Sequence, residues 1–392
     1  MTVNSRRLKR GAAMKSLLSA TALIAVLAAG AHAADIGKTI AVDCPINDCA
    51  APVNLIFAGE FAIDTGTMVD GVEFGGISGI DYDAATGRYI AISDDRSQKA
   101  PARFYELDIK SGADGIQDVS VVRTVTLKDK DGSPFAEKTV DPEQIRLFGD
   151  NLIWSSEGDG KAMIAPFVRV TSADGDFVRE FALPDGFAPS EDHATGIRNN
   201  NAFESIAVLP EGDVLVANEA ALYQDGPASS LTTASPARIV RYDAQTGEPT
   251  AQYIYMIDPI PHAPVDGGAW NDNGLSDMMP LDDTRLLVSE RSFAENRGFT
   301  IRIFMIDLDG ATDVSAIPSL AESDETIVPV AKTQILDLGA IGLEPDNIEA
   351  MTIGRAEDGS PLLLLASDNN FNAEQKTQFL AFRIESLPGL NR

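Results

Sequence analysis

The sequence predicts an all-β protein, a β-propeller of four-stranded blades. Five blades are favoured, with the ring closed by an N-terminal strand that pairs with the C-terminal blade. Three observations predict this. From about residue 52 onward, short apolar runs follow one another, broken by Gly, Asp, Asn and Pro; their length and β-branched and aromatic content are those of strands. No long segment carries helical periodicity. A short acidic pattern recurs five times, and each interval holds about four of the runs, as expected for blades repeated around an axis.

The first segment stands apart from that fold. Arg6, Arg7, Lys9, Arg10 and Lys15 precede an apolar run from Leu17 to Ala29, and Ala31-His32-Ala33 supplies the small residues of a cleavage site. Residues 1–33 therefore read as a signal peptide cleaved after Ala33. Met14-Lys15 begins an ordinary secretory signal; Ser5-Arg6-Arg7 offers a twin-arginine alternative. Residues 34–51 form an N-terminal segment holding both cysteines of the chain, Cys44 and Cys49, whose spacing suits a local disulfide in an oxidising compartment. Residues 52–392 read as a single domain without a linker.

Within that domain, strands are expected at Arg88–Ser93, Arg103–Ile109, Val119–Leu127, Leu152–Ser155, Asp213–Ala217, Ile239–Tyr242, Arg285–Ser289, Ile301–Ile306, Pro361–Ala366 and Thr377–Ile384. Turn signals separate them, among them Thr86-Gly87, Asp131-Gly132, Asp174-Gly175, Thr246-Gly247 and Asp358-Gly359. Asp225–Pro236 and Val314–Glu325 read as exposed loops. The pattern begins at Ser78, Glu143, Glu204, Asp277 and Glu349, at intervals of 65, 61, 73 and 72 residues. After the fifth copy about three strands remain, so Val53–Ile63 is the candidate fourth, and pairing the two ends removes exposed edges. Six blades would require a degenerate one hidden in the longer intervals. A sandwich or jelly roll would explain the strands but not the shared acidic pattern.

The net charge is −28. The first 33 residues hold five of the basic residues and no acid, which leaves 26 basic against 59 acidic residues, or −33. This disfavours nucleic acid or an anionic membrane as partner, and no later stretch is long and apolar enough to span a membrane. The mature protein is expected to be soluble and exported, periplasmic or secreted in a bacterium.

If the first strand of each copy lines the channel, Glu143, Glu204 and Glu349 start equivalent strands and are candidate catalytic carboxylates. Asp94, Glu157, Glu219, Glu290 and Asp368 end the neighbouring strands. With Asp95, Asp346 and Asn347 they form a candidate hard-oxygen ligand set for Ca²⁺, which takes 6–8 oxygens. Asn273 and Asn369 could fill remaining positions. Arg96, Arg103 and Arg291 accompany the acids and are candidates to clamp an anionic substrate; pairing with the acids is the competing reading, and Arg198 lies in a similar polar setting. His193 and His262 are too few for a His-rich zinc site. Gly76-Ile77-Ser78-Gly79-Ile80 lacks the final glycine of a nucleophile elbow.

At these residues the chain resembles the phytase-like family, "esterase-like activity of phytase", of exported bacterial proteins. The resemblance runs from about Leu55 to Ile384. It is carried by GGISGIDYD at 75–83, SDDRS at 93–97, PARFY at 101–105, DPEQIRL at 141–147, SSEGD at 155–159, RNNNAFESIAV at 198–208, NEAAL at 218–222, SPARIVRYD at 235–243, NGLSDM at 273–278, ERSF at 290–293, DNIEAM at 346–351 and SDNNF at 367–371. It implies hydrolysis of a small-molecule phosphate or carboxylic ester, with Ca²⁺ as cofactor, but implies no catalytic set. The alternative is a non-catalytic propeller that uses Ca²⁺ for stability and binds a ligand or protein.

Overall fold

The computed structural model describes residues 35–46, 51–112 and 115–390. The signal segment, its cleavage point after Ala33 and Cys49 lie outside these residues; Cys44 lies within them and is disulfide-bonded. The chain opens with β1 (Thr39–Val42), β2 (Val53–Asp64) and a small ribbon of β3 (Met68–Val69) and β4 (Val72–Glu73). The first blade is β5 (Ile77–Asp83), β6 (Arg88–Ser93), β7 (Arg103–Gly112) and β8 (Gly115–Thr126). The second is β9 (Pro142–Phe148), β10 (Asn151–Ser156), β11 (Phe167–Thr171) and β12 (Phe177–Glu180). The third is β13 (Phe203–Val208), β14 (Val214–Asn218), β15 (Ser235–Tyr242) and β16 (Pro249–Ile257). The fourth is β17 (Asn271–Pro280), β18 (Arg285–Ala294), β19 (Gly298–Asp307) and β20 (Ala331–Asp337). The fifth is β21 (Ile348–Arg355), β22 (Pro361–Ser367) and β23 (Lys376–Ser386), completed by β2.

All pairings are antiparallel, and each blade except the last is a meander in chain order. The inner strands β5, β9, β13, β17 and β21 pack side by side around the axis. The ring therefore has five blades, and no sixth appears among the described residues. Closure is the one expected: β2 runs antiparallel to β23, from Asn54 opposite Ser386 to Asp64 opposite Lys376. The segment 34–51 is less separate than expected, because Thr39–Val42 pairs with Val53–Ile56 and adds a fifth strand to the last blade.

The long apolar runs follow from burial on both faces of each blade. In β18, Leu286 faces one interblade core with Ile239 and Ile306. Its neighbour Leu287 faces another, with Ile303, Leu363 and Phe382. Strand side chains alternate, so strands covered on both sides read as continuous apolar segments. The same alternation fills the remaining interfaces, with Ile80, Tyr105 and Leu364 in one, Ile92, Ile145 and Trp154 in the next and Val170, Ile206 and Tyr242 in a third. The closing strand contributes Phe57, 1% exposed, its ring 5.4 Å from that of Phe382. Phe57→Ala is expected to cost about 3–5 kcal/mol by leaving a cavity at the seam, measured by urea denaturation.

The segment at 314–325 is not simply an exposed loop. Val314 and Ile317 are buried against Ile254 of the preceding blade, and the Ile317 carbonyl accepts a bond of 2.8 Å from Arg238. Arg238 is held in turn by Asp225, at 2.6 and 2.8 Å. The ion pair lets a polar loop dock against a blade edge.

One arginine fills the axis. Arg146, from β9 of the second blade, donates to the carbonyls of Ile80 and Met351, and to those of Ile206 at 2.8 Å and Met278 at 3.0 Å. These four carbonyls belong to the inner strands of the other four blades. Its remaining partner is the Asp277 carboxylate at 2.6 Å, which also accepts from Gln144 Nε2 and from the backbone N–H groups of Met278 and Met351, each at 2.7 Å. Gly79 leaves room for this plug: a Cβ there would lie 2.3 Å from Gln144 Oε1.

Candidate functional site

Each inner strand carries a register irregularity at its first turn into the channel. Ile77, Pro142, Phe203, Leu275 and Ile348 pair with Ser93, Ser156, Asn218, Glu290 and Ser367, and the ladder shifts just beyond each pair. The residue in the irregularity is Ser78, Glu143, Glu204, Ser276 or Glu349. A bulge re-aims its side chain and ends regular pairing, and Glu143, Glu204 and Glu349 at these positions line the mouth of the channel. The residue after the paired one on the second strand is Asp94, Glu157, Glu219, Arg291 or Asp368.

This register corrects the fourth copy by one residue. Asp277 is not the equivalent of the three glutamates; Ser276 is, and Asp277 faces the axial plug. Glu290 is likewise not the equivalent of Asp94 and Glu157; Arg291 is. Because strand side chains alternate, a slip of one residue sends each group to the opposite face.

The mouth gathers most of the expected residues. Asp94, Glu143, Glu204, Arg291, Asn347, Glu349 and Asp368 line a pocket of about 440 Å³. Glu157 and Glu219 stand beside Glu204. Carboxylate oxygens of Asp94, Asp141 and Glu143 lie within 4.8 Å of one another, and so do those of Glu157, Glu204 and Glu219. Glu143 feels the charge of both Glu204 and Glu157, so the two triads adjoin. No protein hydrogen bond reaches the carboxylates of Glu143 and Glu204 among the described residues. Glu157 accepts from the backbone N–H of Ala202 at 2.8 Å, and Glu219 from Asn201 Nδ2 at 2.6 Å. Gly274 leaves space for Glu219, because a Cβ there would lie 2.4 Å from its Cγ.

Arg291 ties three blades together inside this acidic mouth. It pairs with Glu219 at 2.9 Å, Asp272 at 3.1 Å and Glu349 at 3.4 Å. Glu349 also accepts from Asn347 Nδ2 at 2.9 Å. Arg96 sits at the rim, 2.6 Å from Asp159 and 3.4 Å from Asp141.

Four expected site residues stand elsewhere, each already engaged by hydrogen-bond partners of its own. Asp95 pairs with Arg103 at 2.6 Å and accepts from the backbone N–H groups of Gln98, Lys99 and Ala100. Arg103, 1% exposed, is a buried partner in that loop rather than a substrate clamp; it also donates to Tyr105 and to the carbonyl of Glu73. Glu290 is held by Arg302, Lys332, Tyr255 and Asn273. Asp346 accepts from Asn347, Gln375 and Lys376 in its own loop. Asn369 is committed in the same way, its Oδ1 accepting from the backbone N–H of Gly76, whereas Asn273 donates from its Nδ2 to Glu290. Arg198 donates to the carbonyls of Ala221 and Gly226. Neither histidine lines the pocket.

Three acids of the site, Asp141, Asp272 and Glu374, were not expected from the sequence. Asp141 immediately precedes the paired Pro142, as Asn347 precedes Ile348, and alignment of the copies on their paired residues would have found it. Asp272 lies where β17 extends beyond the repeat, and no repeat signal marks it.

Burial dominates the electrostatics. It pushes the carboxyls of Asp94, Glu143, Glu157, Glu204 and Asp368 well above the usual range, and their mutual repulsion adds to it. Burial takes Asp141 up to about 6 despite Arg96, and Glu219 up to about 7 despite Arg291. Without a divalent cation the folded protein thus holds protons that the unfolded chain releases. The stability these protons confer is fully present below the unfolded values of 3.8 and 4.5 and is lost as pH rises towards about 6 and about 7. In EDTA, Tm is expected to fall by about 5 °C or more between pH 5 and pH 8, as read by thermal denaturation; added Ca²⁺ is expected to reverse this fall.

The donor set fits a hard cation. Oxygens on one Ca²⁺ lie about 2.3–2.6 Å from the ion, so ligands on opposite sides are separated by roughly 5 Å. Three carboxylate oxygens within 4.8 Å of one another meet that geometry without rearrangement of the fold.

No curated protein matches the chain. Among solved structures it is similar to a bifunctional GH43-CE protein of Bacteroides eggerthii, with 7% identity and a TM-score of 0.42 over 78% of this chain and 33% of that one. The chain therefore spans about a third of that protein's length. It is similar to an endo-1,4-beta-xylanase from Bacteroides thetaiotaomicron, with 10% identity and a TM-score of 0.44 over 80% of this chain and 96% of that one. A third is an alpha-L-arabinofuranosidase from Lactobacillus brevis, with 10% identity and a TM-score of 0.43 over 84% of this chain and 100% of that one. The family match is of a different order, since it runs through all five inner strands from residue 72 to residue 371. The chain belongs to the phytase-like family, described as "esterase-like activity of phytase".

Proposed function

We propose that this protein is an exported hydrolase of phosphate monoesters that works with Ca²⁺ held at the acidic mouth. The observation that carries the reading is the pair of adjoining carboxylate triads, buried and poor in protein donors. Asp94, Asp141 and Glu143 would hold one ion, and Glu157, Glu204 and Glu219 another. Ions held there would neutralise substrate oxygens and lower the pKa of a bound water. That is what an anionic substrate needs in order to enter a mouth lined by acids.

The chain's own groups divide the remaining work. Glu349 lies outside both triads, and Asn347 and Arg291 orient it towards the pocket. It is the proton acceptor for the attacking water. Water oxygen bonds to phosphorus as the P–O bond to the alcohol breaks, Glu349 takes the water's proton, and the departing alkoxide takes a proton from solvent. Burial raises the Glu349 carboxyl above its usual range, and the charge of Arg291 opposes that rise. Arg96 stands at the rim, where it can meet a phosphate oxygen. Export is supported by the basic start, the apolar run from Leu17 to Ala29 and the small residues before Asp35. Extracellular Ca²⁺ modules work with dissociation constants of about 10⁻⁴–10⁻³ M.

Assay of the purified protein against phosphomonoesters and carboxylic esters, with Ca²⁺ or with EDTA, tests this reading. Turnover of phosphomonoesters that EDTA abolishes and Ca²⁺ restores is expected. Absence of turnover of any ester under both conditions would sink the hydrolase reading. A Ca²⁺-dependent rise in Tm without turnover would select the binding propeller instead.

A further inference from the structure

We infer that the pocket selects monoesters whose alcohol part is aromatic and discriminates against polyphosphorylated polyols; this rests on the hydrolase reading above. The acidic mouth has one apolar wall, built by the fourth blade. Strands β17, β18 and β19 run past the end of the repeat there, and Phe293 and Phe299 are paired directly across β18 and β19. Both line the pocket, with ring centroids 5.0 Å apart and planes tilted by 47°.

Trp270 stands beside Asp272, one of the residues that line the pocket. It is 63% exposed, and its indole N–H donates to Asp272, 3.3 Å away. Its backbone N–H is fixed by Glu295 at 3.0 Å. Asp272 lines the same pocket, bonds to Arg291 and accepts from the backbone N–H of Phe293 at 3.1 Å. The aromatic groups are thus tied to the acidic centre through one carboxylate. An exposed indole held by its own N–H offers a flat face to a planar ligand.

The charges point the same way. Among the described residues that line the pocket, Arg291 is the only cation, and it already serves Glu219, Asp272 and Glu349. One phosphate can be neutralised by ions held in the triads. Further phosphates on the same substrate would meet Asp94, Asp368 and Glu374, and Arg96, the cation at the rim, is already shared between Asp159 and Asp141. A single phosphate on an aromatic alcohol satisfies both walls. Water supplies the new P–O bond, and the bond that breaks is the one to the aryl oxygen.

The test compares kcat/KM in Ca²⁺ for phenyl phosphate, an alkyl phosphate and inositol hexakisphosphate. It is joined to binding of phenylphosphonate and methylphosphonate followed by tryptophan fluorescence. The only other tryptophan, Trp154, is 1% exposed between Phe135 and Phe167, so Trp270 reports the pocket. A preference of about tenfold for phenylphosphonate over methylphosphonate is expected in binding, the worth of one good aromatic contact; in turnover the aryl ester gains further because phenoxide is the better leaving group. Phe293→Leu should bring the binding ratio of the two phosphonates close to one, and Trp270→Phe should abolish the fluorescence change. If no ester is turned over but phenylphosphonate still binds about tenfold more tightly than methylphosphonate, the hydrolase reading falls and the aromatic subsite stands. Equal binding of the two phosphonates, or turnover of inositol hexakisphosphate above phenyl phosphate, would overturn the inference.

Discussion

Replacing Glu349 with Gln is expected to lower kcat for phosphomonoesters by about 10²–10⁴, the usual worth of a positioned general base. The substitution keeps the shape of the side chain and its bond with Asn347 but removes the proton acceptor. Glu349 belongs to neither triad, so Ca²⁺ affinity should change little, and the Ca²⁺-induced rise in Tm should survive. Glu204→Gln is the contrasting variant. It removes a ligand from the triad of Glu157, Glu204 and Glu219, so it should weaken Ca²⁺ binding, and activity should recover partly at high Ca²⁺. Steady-state kinetics over a Ca²⁺ titration separates the two roles. A loss in the Glu349 variant that Ca²⁺ rescues would move this residue from proton acceptor to ligand.

Arg146→Met is expected to destabilise the protein by about 3–5 kcal/mol, the cost of leaving a buried charge without its partner. Asp277, 0% exposed, would lose its ion pair. The carbonyls of Ile80, Ile206, Met278 and Met351 would lose a common donor, and each buried orphan adds to the cost. Arg146→Lys should recover only part of the loss, since a single ammonium cannot reproduce five bonds of a planar guanidinium. Asp277→Asn should be milder, because Gln144 Nε2, the Met278 N–H and Arg146 can still donate to its one carbonyl oxygen and only the Met351 N–H loses its acceptor. Urea denaturation gives these values directly. Arg146 lies beneath the mouth and not in it, so its variants report on the ring rather than on chemistry.

Much of the architecture was legible because propeller blades are local in sequence. Each meander joins strands adjacent in sequence, many of them through short turns, and the turn residues and apolar runs mark it directly. The closing strand was legible for a complementary reason: the last blade lacked a strand, and Val53–Ile63 had no other partner. The buried loop at 314–325 was not legible, since its polar residues are the same whether they face water or the Arg238–Asp225 pair.

The site divides along the same line. Glu143, Glu204 and Glu349 were identifiable because each opens an inner strand at the same place in the repeat. The fourth copy misled because acids stand one residue away on both strands, at Asp277 and Glu290, while Ser276 and Arg291 hold the equivalent positions. Sequence spacing cannot tell these registers apart; the cross-strand pairing of Leu275 with Glu290 does. Asp95 and Arg103 were placed at the mouth by their neighbours in sequence, yet they turn inward to each other.

By itself, then, the sequence determined the strand content, the five-fold repeat, the closure and the acidic character of the mouth, since composition, spacing and turn chemistry act over a few residues. Only the tertiary structure decided which carboxylates share a cation-sized space, which are already spent on donors, and that an arginine rather than a channel occupies the axis. Those outcomes depend on strand register and on contacts between residues far apart in sequence, such as the 205 positions from Arg146 to Met351. There a shift of one residue reverses the face on which a side chain lies.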